Sequence, residues 1–224
     1  RELNCVSCGH TVPLFKDYRV ASGRYDNSDR DNVLCPDCGS VFLTSDYRES
    51  AVCPDCSCEF TPADGPVSRG GNYGCPECGQ KESVTDGIAE QGTPQQRLYA
   101  VEYYCEECDN QDLAKSSYKG YKQSGAADIN LFEDAKQEWN VRTDLHEYIP
   151  AEQIPPGHMT SERNPVFDHG YELWSDMFNE RQLLCLSKLL KSIDNIANQN
   201  LKEMLLIAFS DALRTNCMMT SYDA

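Results

Sequence analysis

Ten of the thirteen cysteines in this chain stand in five Cys-x-x-Cys pairs: Cys5 and Cys8, Cys35 and Cys38, Cys53 and Cys56, Cys75 and Cys78, and Cys105 and Cys108. Two cysteines separated by two residues on a tight turn aim both sulfurs at one point, so each pair supplies half of a tetrahedral thiolate site for zinc. The residues between and after the thiols suit that turn. Pro36, Pro54 and Pro76 each set one backbone angle, while Gly9, Gly39 and Gly79 let the chain turn back with a positive φ. A zinc ion held by four thiolates has no open coordination position, so the chemistry on offer is structural, not catalytic.

The segments between the knuckles read as the hairpins that would present them. Residues 11 to 20, TVPLFKDYRV, alternate in polarity and are rich in β-formers, a polar turn covers Ser22 to Asp31, and NVLC enters the second knuckle. The third and fourth knuckles repeat the plan, with the Gly/Pro-rich stretch TPADGPVSRGGN between them. Knuckle, hairpin, knuckle is the plan of a zinc ribbon. The spacers are 26 residues between Cys8 and Cys35 and 18 between Cys56 and Cys75, both short enough for one ribbon. Second with third and fourth with fifth also fit, at 14 and 26 residues. First with second and third with fourth is the favoured pairing because it leaves only the least connected knuckle alone. Cys58 reads as a small side chain beside a site, and the glycines from Ser68 to Gly74 as turn residues, since neither a strand-to-helix context nor a following Lys-Ser/Thr marks a phosphate loop.

The rest of the chain changes period. DINLFEDAKQEWNVR, from Asp128, reads as an amphipathic helix with Ile129, Phe132, Ala135 and Trp139 on one face. A connection with Pro150, Pro155, Pro156 and Pro165 follows. Asn179 with Gln182 forms a capping box ahead of an apolar stripe from Leu183 to Ile196, and Asn200 with Glu203 suggests a second helix start. Cys185 and Cys217 read as core thiols on these helices. The expected class is α+β: tandem zinc ribbons followed by a helical region ending in a helix pair. The expected spans are 1–47 and 48–96 for the ribbons, 97–127 for a hairpin with the fifth knuckle, 128–170 for a helix and connection, and 171–224 for the pair.

Composition narrows the function classes. Asp and Glu number 36 against 20 Lys and Arg, a net charge of −16, whereas an isolated DNA-binding module is usually basic. The acidity is scattered and lysines number only nine, as in a protein from a high-salt cytoplasm; an acidic protein-interaction module is the alternative. The paired thiol spacing, with no signal peptide or apolar run able to span a bilayer, argues for metal over disulfides and for a cytoplasmic location without a membrane partner. The start at Arg1 suggests a segment of a longer protein. His10, His146, His158 and His169 fall in no metalloenzyme pattern, and no cofactor loop, nucleophile elbow or zinc-deaminase signature occurs.

The stretch from Pro156 to Leu190, PGHMTSERNPVFDHGYELWSDMFNERQLLCLSKLL, followed by LLIAFSDALRTNCMMTSYD, resembles the large adenine-specific DNA methylases that carry a zinc-ribbon insert. Trp174, Asp176, Phe178, Arg181, Gln182, Leu183 and Leu184 match the family's W-x-D-L-F-x-x-R-Q-L-L segment, with Met177 in place of its leucine and TNCMM a looser match to a later D-x-N-S-like stretch. The resemblance implies that the glycine motif for S-adenosylmethionine would precede Arg1 and the catalytic D-P-P-Y would follow Ala224, so no catalytic or cofactor-binding residue carries over. It implies a zinc-bearing recognition or scaffold segment, with duplex DNA and the methylase catalytic domain as partners. Candidate DNA contacts are Arg19, Arg24, Arg69, Arg97, Lys119, Tyr121 and Lys122. The competing expectation is an acidic zinc-ribbon adaptor for proteins of the transcription machinery. About two zinc ions are expected, and a third if Cys105 and Cys108 find partners.

Overall fold

A computed structural model describes residues 1–23, 25, 29–111, 113–163 and 166–218. The chain is α+β and divides into two compact units, residues 1–128 and 129–223.

The first unit is built from short antiparallel strands. β1 (Glu2–Asn4) pairs with β2 (Thr11–Pro13), and β3 (Arg19–Ser22), β4 (Asp31–Leu34) and β5 (Val41–Thr44) form a three-stranded meander. β6 (Ala51–Val52) pairs with β7 (Glu59–Phe60), β8 (Asn72–Gly74) with β9 (Lys81–Ser83), and β10 (Ala100–Tyr104) with β11 (Lys119–Gln123). A helix, α1 (Val84–Gln91), follows β9, and two single turns, α2 (Glu106–Asp109) and α3 (Lys115–Tyr118), lie between β10 and β11.

No two-stranded hairpin buries enough apolar surface to be stable alone, so the hairpins share cores. Leu3 and Val12 from the first pack with Val67, Tyr73 and Ile88 from the β8–α1 region, all buried. Gly87 allows a close approach there, since a Cβ would come within 3.0 Å of the Leu3 side chain and 3.3 Å of the Tyr73 ring. A reciprocal amide clamp joins α1 to β1: the Asn4 N–H donates to Gln91 Oε1 and Gln91 Nε2 donates to the Asn4 carbonyl, both at 2.9 Å. Around β4, where Val33 is fully buried, Tyr18 and Phe42 meet Phe60 edge-on at 6.0 and 6.2 Å.

The second unit is helical. α4 (Ala126–Val141) crosses the boundary between units and matches the helix expected from Asp128. Of its apolar residues only Trp139 is buried; Phe132 and Ala135 are half-buried and Ile129 is exposed. Trp139 packs with Leu145, from a 3-10 turn at Thr143–Tyr148, and with Leu184 of α5 (Glu180–Asp194). Asp144 binds Arg142 and Lys191, each at 2.7 Å, and these two cations hold its carboxyl well below the usual range. α6 (Gln199–Thr215) packs on α5.

The capping box of α5 forms as expected, with Asn179 Oδ1 accepting the Gln182 N–H and Gln182 Oε1 accepting the Asn179 N–H, both at 2.9 Å. The α6 start differs from expectation. Asn198, not Asn200, caps it through the Leu201 N–H at 3.0 Å, and the earlier start lets Lys202 reach the Asp194 carboxylate at 2.5 Å. Cys185 is exposed instead of packed in a core, because the buried positions of α5 are Leu184, Ser187 and Ile193.

Candidate metal centres

Four of the five knuckles have one backbone design. In each, the first cysteine's N–H donates to the carbonyl five residues ahead (His10, Ser40, Cys58 and Gln80, at 2.8 to 2.9 Å). Its own carbonyl accepts the N–H of the residue after the second cysteine, at 2.8 to 3.0 Å. That residue must lie in the left-handed region: Gly9 at φ 74°, Gly39 at 76°, Gly79 at 74° and, in the third knuckle, Ser57 at 62°. A non-glycine residue there costs about 1–2 kcal/mol. Ser57→Gly is therefore expected to stabilise the zinc-loaded first unit by about 1 kcal/mol, seen as a higher denaturant midpoint at unchanged zinc content.

The knuckles converge in two groups. Cys5, Cys8, Cys75 and Cys78 form one, Cys35, Cys38, Cys53 and Cys56 the other, and within each all four sulfurs lie within 4.8 Å of one another. Opposite knuckles meet sulfur to sulfur at 3.6 Å, from Cys5 to Cys78, Cys8 to Cys75, Cys35 to Cys56 and Cys38 to Cys53. Zinc at about 2.3 Å from each of four sulfurs gives tetrahedral edges of about 3.8 Å, so both clusters fit the ion. The first cysteine of every such knuckle is buried and the second is more exposed, which leaves each site a path for metal entry.

The pairing differs from the favoured expectation. The second knuckle does meet the third, one of the alternatives, but the first meets the fourth, enclosing the inner pair in sequence. Each site thus draws on both of the spans 1–47 and 48–96. The cause lies in the cores: β1 and β2 bury Leu3 and Val12 against Tyr73 and Ile88, which brings the knuckle at Cys75 beside that at Cys5.

The electrostatics agree with a metal-binding role. The Cys5 thiol is lowered to about 7, first by the Cys8 N–H. Burial opposes ionisation at Cys53, but the N–H groups of Cys56 and Asp55 and the thiols of Cys38 and Cys56 bring it to about 7 as well. At Cys8 the His10 N–H acts in the same sense, yet desolvation within the cluster and the thiols of Cys75, Cys78 and Cys5 push it up to about 12. One thiolate in a cluster thus opposes the next, and a divalent cation removes that opposition by displacing the protons.

The fifth knuckle is different. Cys105 and Cys108 belong to neither group, and among the described residues only these two groups could hold a metal ion. Cys58 is half-buried outside both, its thiol 3.9 Å from the Glu59 carbonyl, in agreement with its reading as a bystander. The candidate DNA contacts are distributed over β3 (Arg19), the exposed turn before β8 (Arg69), the approach to β10 (Arg97) and β11 (Lys119, Tyr121 and Lys122). Arg19 lies 4.1 Å over the Tyr47 ring and 3.9 Å from Asp31, Arg97 is 3.6 Å from Glu2, and Lys122 is 3.1 Å from Asp128. Lys119 stands over the Tyr104 ring at 5.8 Å, and Arg24 lies outside the described residues.

Sequence reasoning missed the role of Asp176, whose carboxylate accepts the N–H groups of Glu172 and Leu173 at 2.8 and 2.7 Å and so fixes the 3-10 turn Trp174–Met177 ahead of α5. An Asp two residues after Trp174, just before a capped helix, was the available signal. Among the described residues no helix is long and apolar enough to cross a membrane. Together these features define an α+β chain with two four-cysteine clusters that could hold zinc. No protein-family model, curated protein or solved structure matches it.

Proposed function

We propose that this chain is the zinc-bearing central segment of an S-adenosylmethionine-dependent adenine-specific DNA N6-methyltransferase, and that its two four-cysteine clusters are zinc ribbons, one set within the sequence of the other. The observation that carries the reading is the form of the Trp174–Leu184 segment. Its Asp176-fixed turn and capped α5 place Trp174, Phe178, Leu186 and Leu190 on an apolar cavity of about 530 Å³ shared with Phe209 and Leu213 of α6. Met204 and Ile207 of α6 are also 69% and 73% exposed, an apolar surface that suits a catalytic domain packed against it. Arg181 is exposed on the first turn of α5, where the capping is done by Gln182.

In this reading the ribbons and the β10–β11 hairpin form a platform for DNA, with Lys119, Tyr121 and Lys122 of β11 as the leading contacts, while the methyl donor and the reacting base are handled outside this chain. The adaptor reading draws on the net charge of −16 and on the acidic partners of Arg19, Arg97 and Lys122. The test is made in the full-length gene product. Removal of residues 1–127 should weaken duplex binding while S-adenosylmethionine affinity stays the same. Unchanged duplex binding would leave the zinc region as scaffold, and a full-length product that binds no S-adenosylmethionine would reject the methylase reading.

A further inference from the structure

The knuckle at Cys105 and Cys108 has its own geometry. The N–H of Cys105 crosses to the Tyr118 carbonyl at 2.7 Å, and the chain beyond it winds into the single turn α2, with the Asp109 N–H on the Cys105 carbonyl at 3.1 Å. Asp109 has no positive φ, unlike the residue that follows the second cysteine in the other four knuckles. The two sulfurs are 3.0 Å apart. That is shorter than the roughly 3.8 Å edge of a zinc tetrahedron and about 1 Å longer than a disulfide bond. Both thiols are half-buried and within reach of a small reagent, and among the described residues no third ligand completes a site.

We infer that Cys105 and Cys108 are a dithiol that closes reversibly to a disulfide by exchange with low-molecular-weight disulfides, not a third zinc site. One cysteine thiolate attacks a sulfur of the small disulfide, breaking its S–S bond and releasing the first small thiol. The other cysteine thiolate then attacks the protein sulfur of the mixed disulfide, forming the Cys105–Cys108 bond and releasing the second. Two electrons pass from the protein sulfurs to the reagent, and both protons leave on the released thiols. The bond closes α2 on itself at the end of β10, one element away from the strand that carries Lys119. The Cys108 thiol and N–H hold the Cys105 pKa below its ordinary value against a smaller opposing effect of Glu107, while Cys108 is pushed up, which favours Cys105 as the first attacking thiolate.

The zinc-loaded chain is equilibrated without oxygen in mixtures of 2-mercaptoethanol and its disulfide, a neutral couple that the acidic residues do not repel. It is then quenched in acid, treated with N-ethylmaleimide and digested with trypsin. The peptide Leu98–Lys115 holds both cysteines and no other. It should carry two maleimides at the reducing end and none at the oxidising end, where it is two hydrogens lighter, while zinc stays at two per chain. In Cys108→Ser the same peptide should instead gain one mercaptoethanol. Thiols that remain labelled in the most oxidising mixture would overturn the inference. So would a further zinc, whole or shared between two chains, that protects them, or oxidation that occurs only where the other zinc ions are lost.

Discussion

Serine at both Cys8 and Cys78 is expected to remove one zinc ion per chain, whereas serine at both Cys8 and Cys38 should remove two. The first pair of substitutions falls within one cluster and the second pair spans both. Were neighbouring knuckles partners in sequence order, the outcomes would be reversed, so metal analysis of the two variants separates the pairings directly. The effect on folding should be large. A structural zinc contributes roughly 10–16 kcal/mol of apparent binding energy, against about 5–15 kcal/mol for the whole stability of a domain. Chelation of both ions should accordingly unfold residues 1–128, seen as lost amide-exchange protection across β1 to β9. The helical signal of α5 and α6 should survive, because α5 shares a core of Trp139, Leu145 and Leu184 that includes no zinc ligand, and α6 packs on α5.

The converse experiment is Trp139→Ala. This side chain is the largest in that core, its ring lies 4.4 Å from the His146 ring, and the His146 Nε2 contacts its carbonyl at 3.2 Å. Truncating a buried tryptophan costs about 3–5 kcal/mol, since the lost transfer energy is joined by the cavity left behind. Such a loss is a large share of a domain's margin. The helical unit should melt at a markedly lower denaturant concentration while zinc content remains at two per chain. Zinc released in parallel would show that the two units unfold as one.

The ligand chemistry was legible in the sequence because it is local. Two cysteines and two spacer residues specify a knuckle whose hydrogen bonds close within six residues, and four of the five expected knuckles take that form, three with a following glycine and one with Ser57. The exception was not legible from that position alone: Asp109 follows Cys108 and the chain there turns helical, yet Ser57, equally not glycine, follows Cys56 in a knuckle of the common form. Asn179 and Gln182 were legible as the four knuckles were, since a cap needs only residues three apart.

Which knuckles share an ion is a tertiary property. Joining Cys8 to Cys75, a sequence separation of 67, instead of to Cys35 at 27, adds only about 0.8 kcal/mol of loop-closure cost. Burial of one large apolar side chain contributes about 1.5–3 kcal/mol, so spacing is overruled as soon as Leu3, Val12, Tyr73 and Ile88 find a common core. Two asparagines of equal capping ability stood near the start of α6, and in the folded chain Asn198 caps it with Lys202 bonded to Asp194. Residue type and near spacing determine the half-sites and caps of this protein; the small differences in burial that join one half-site to another exist only once the chain is folded.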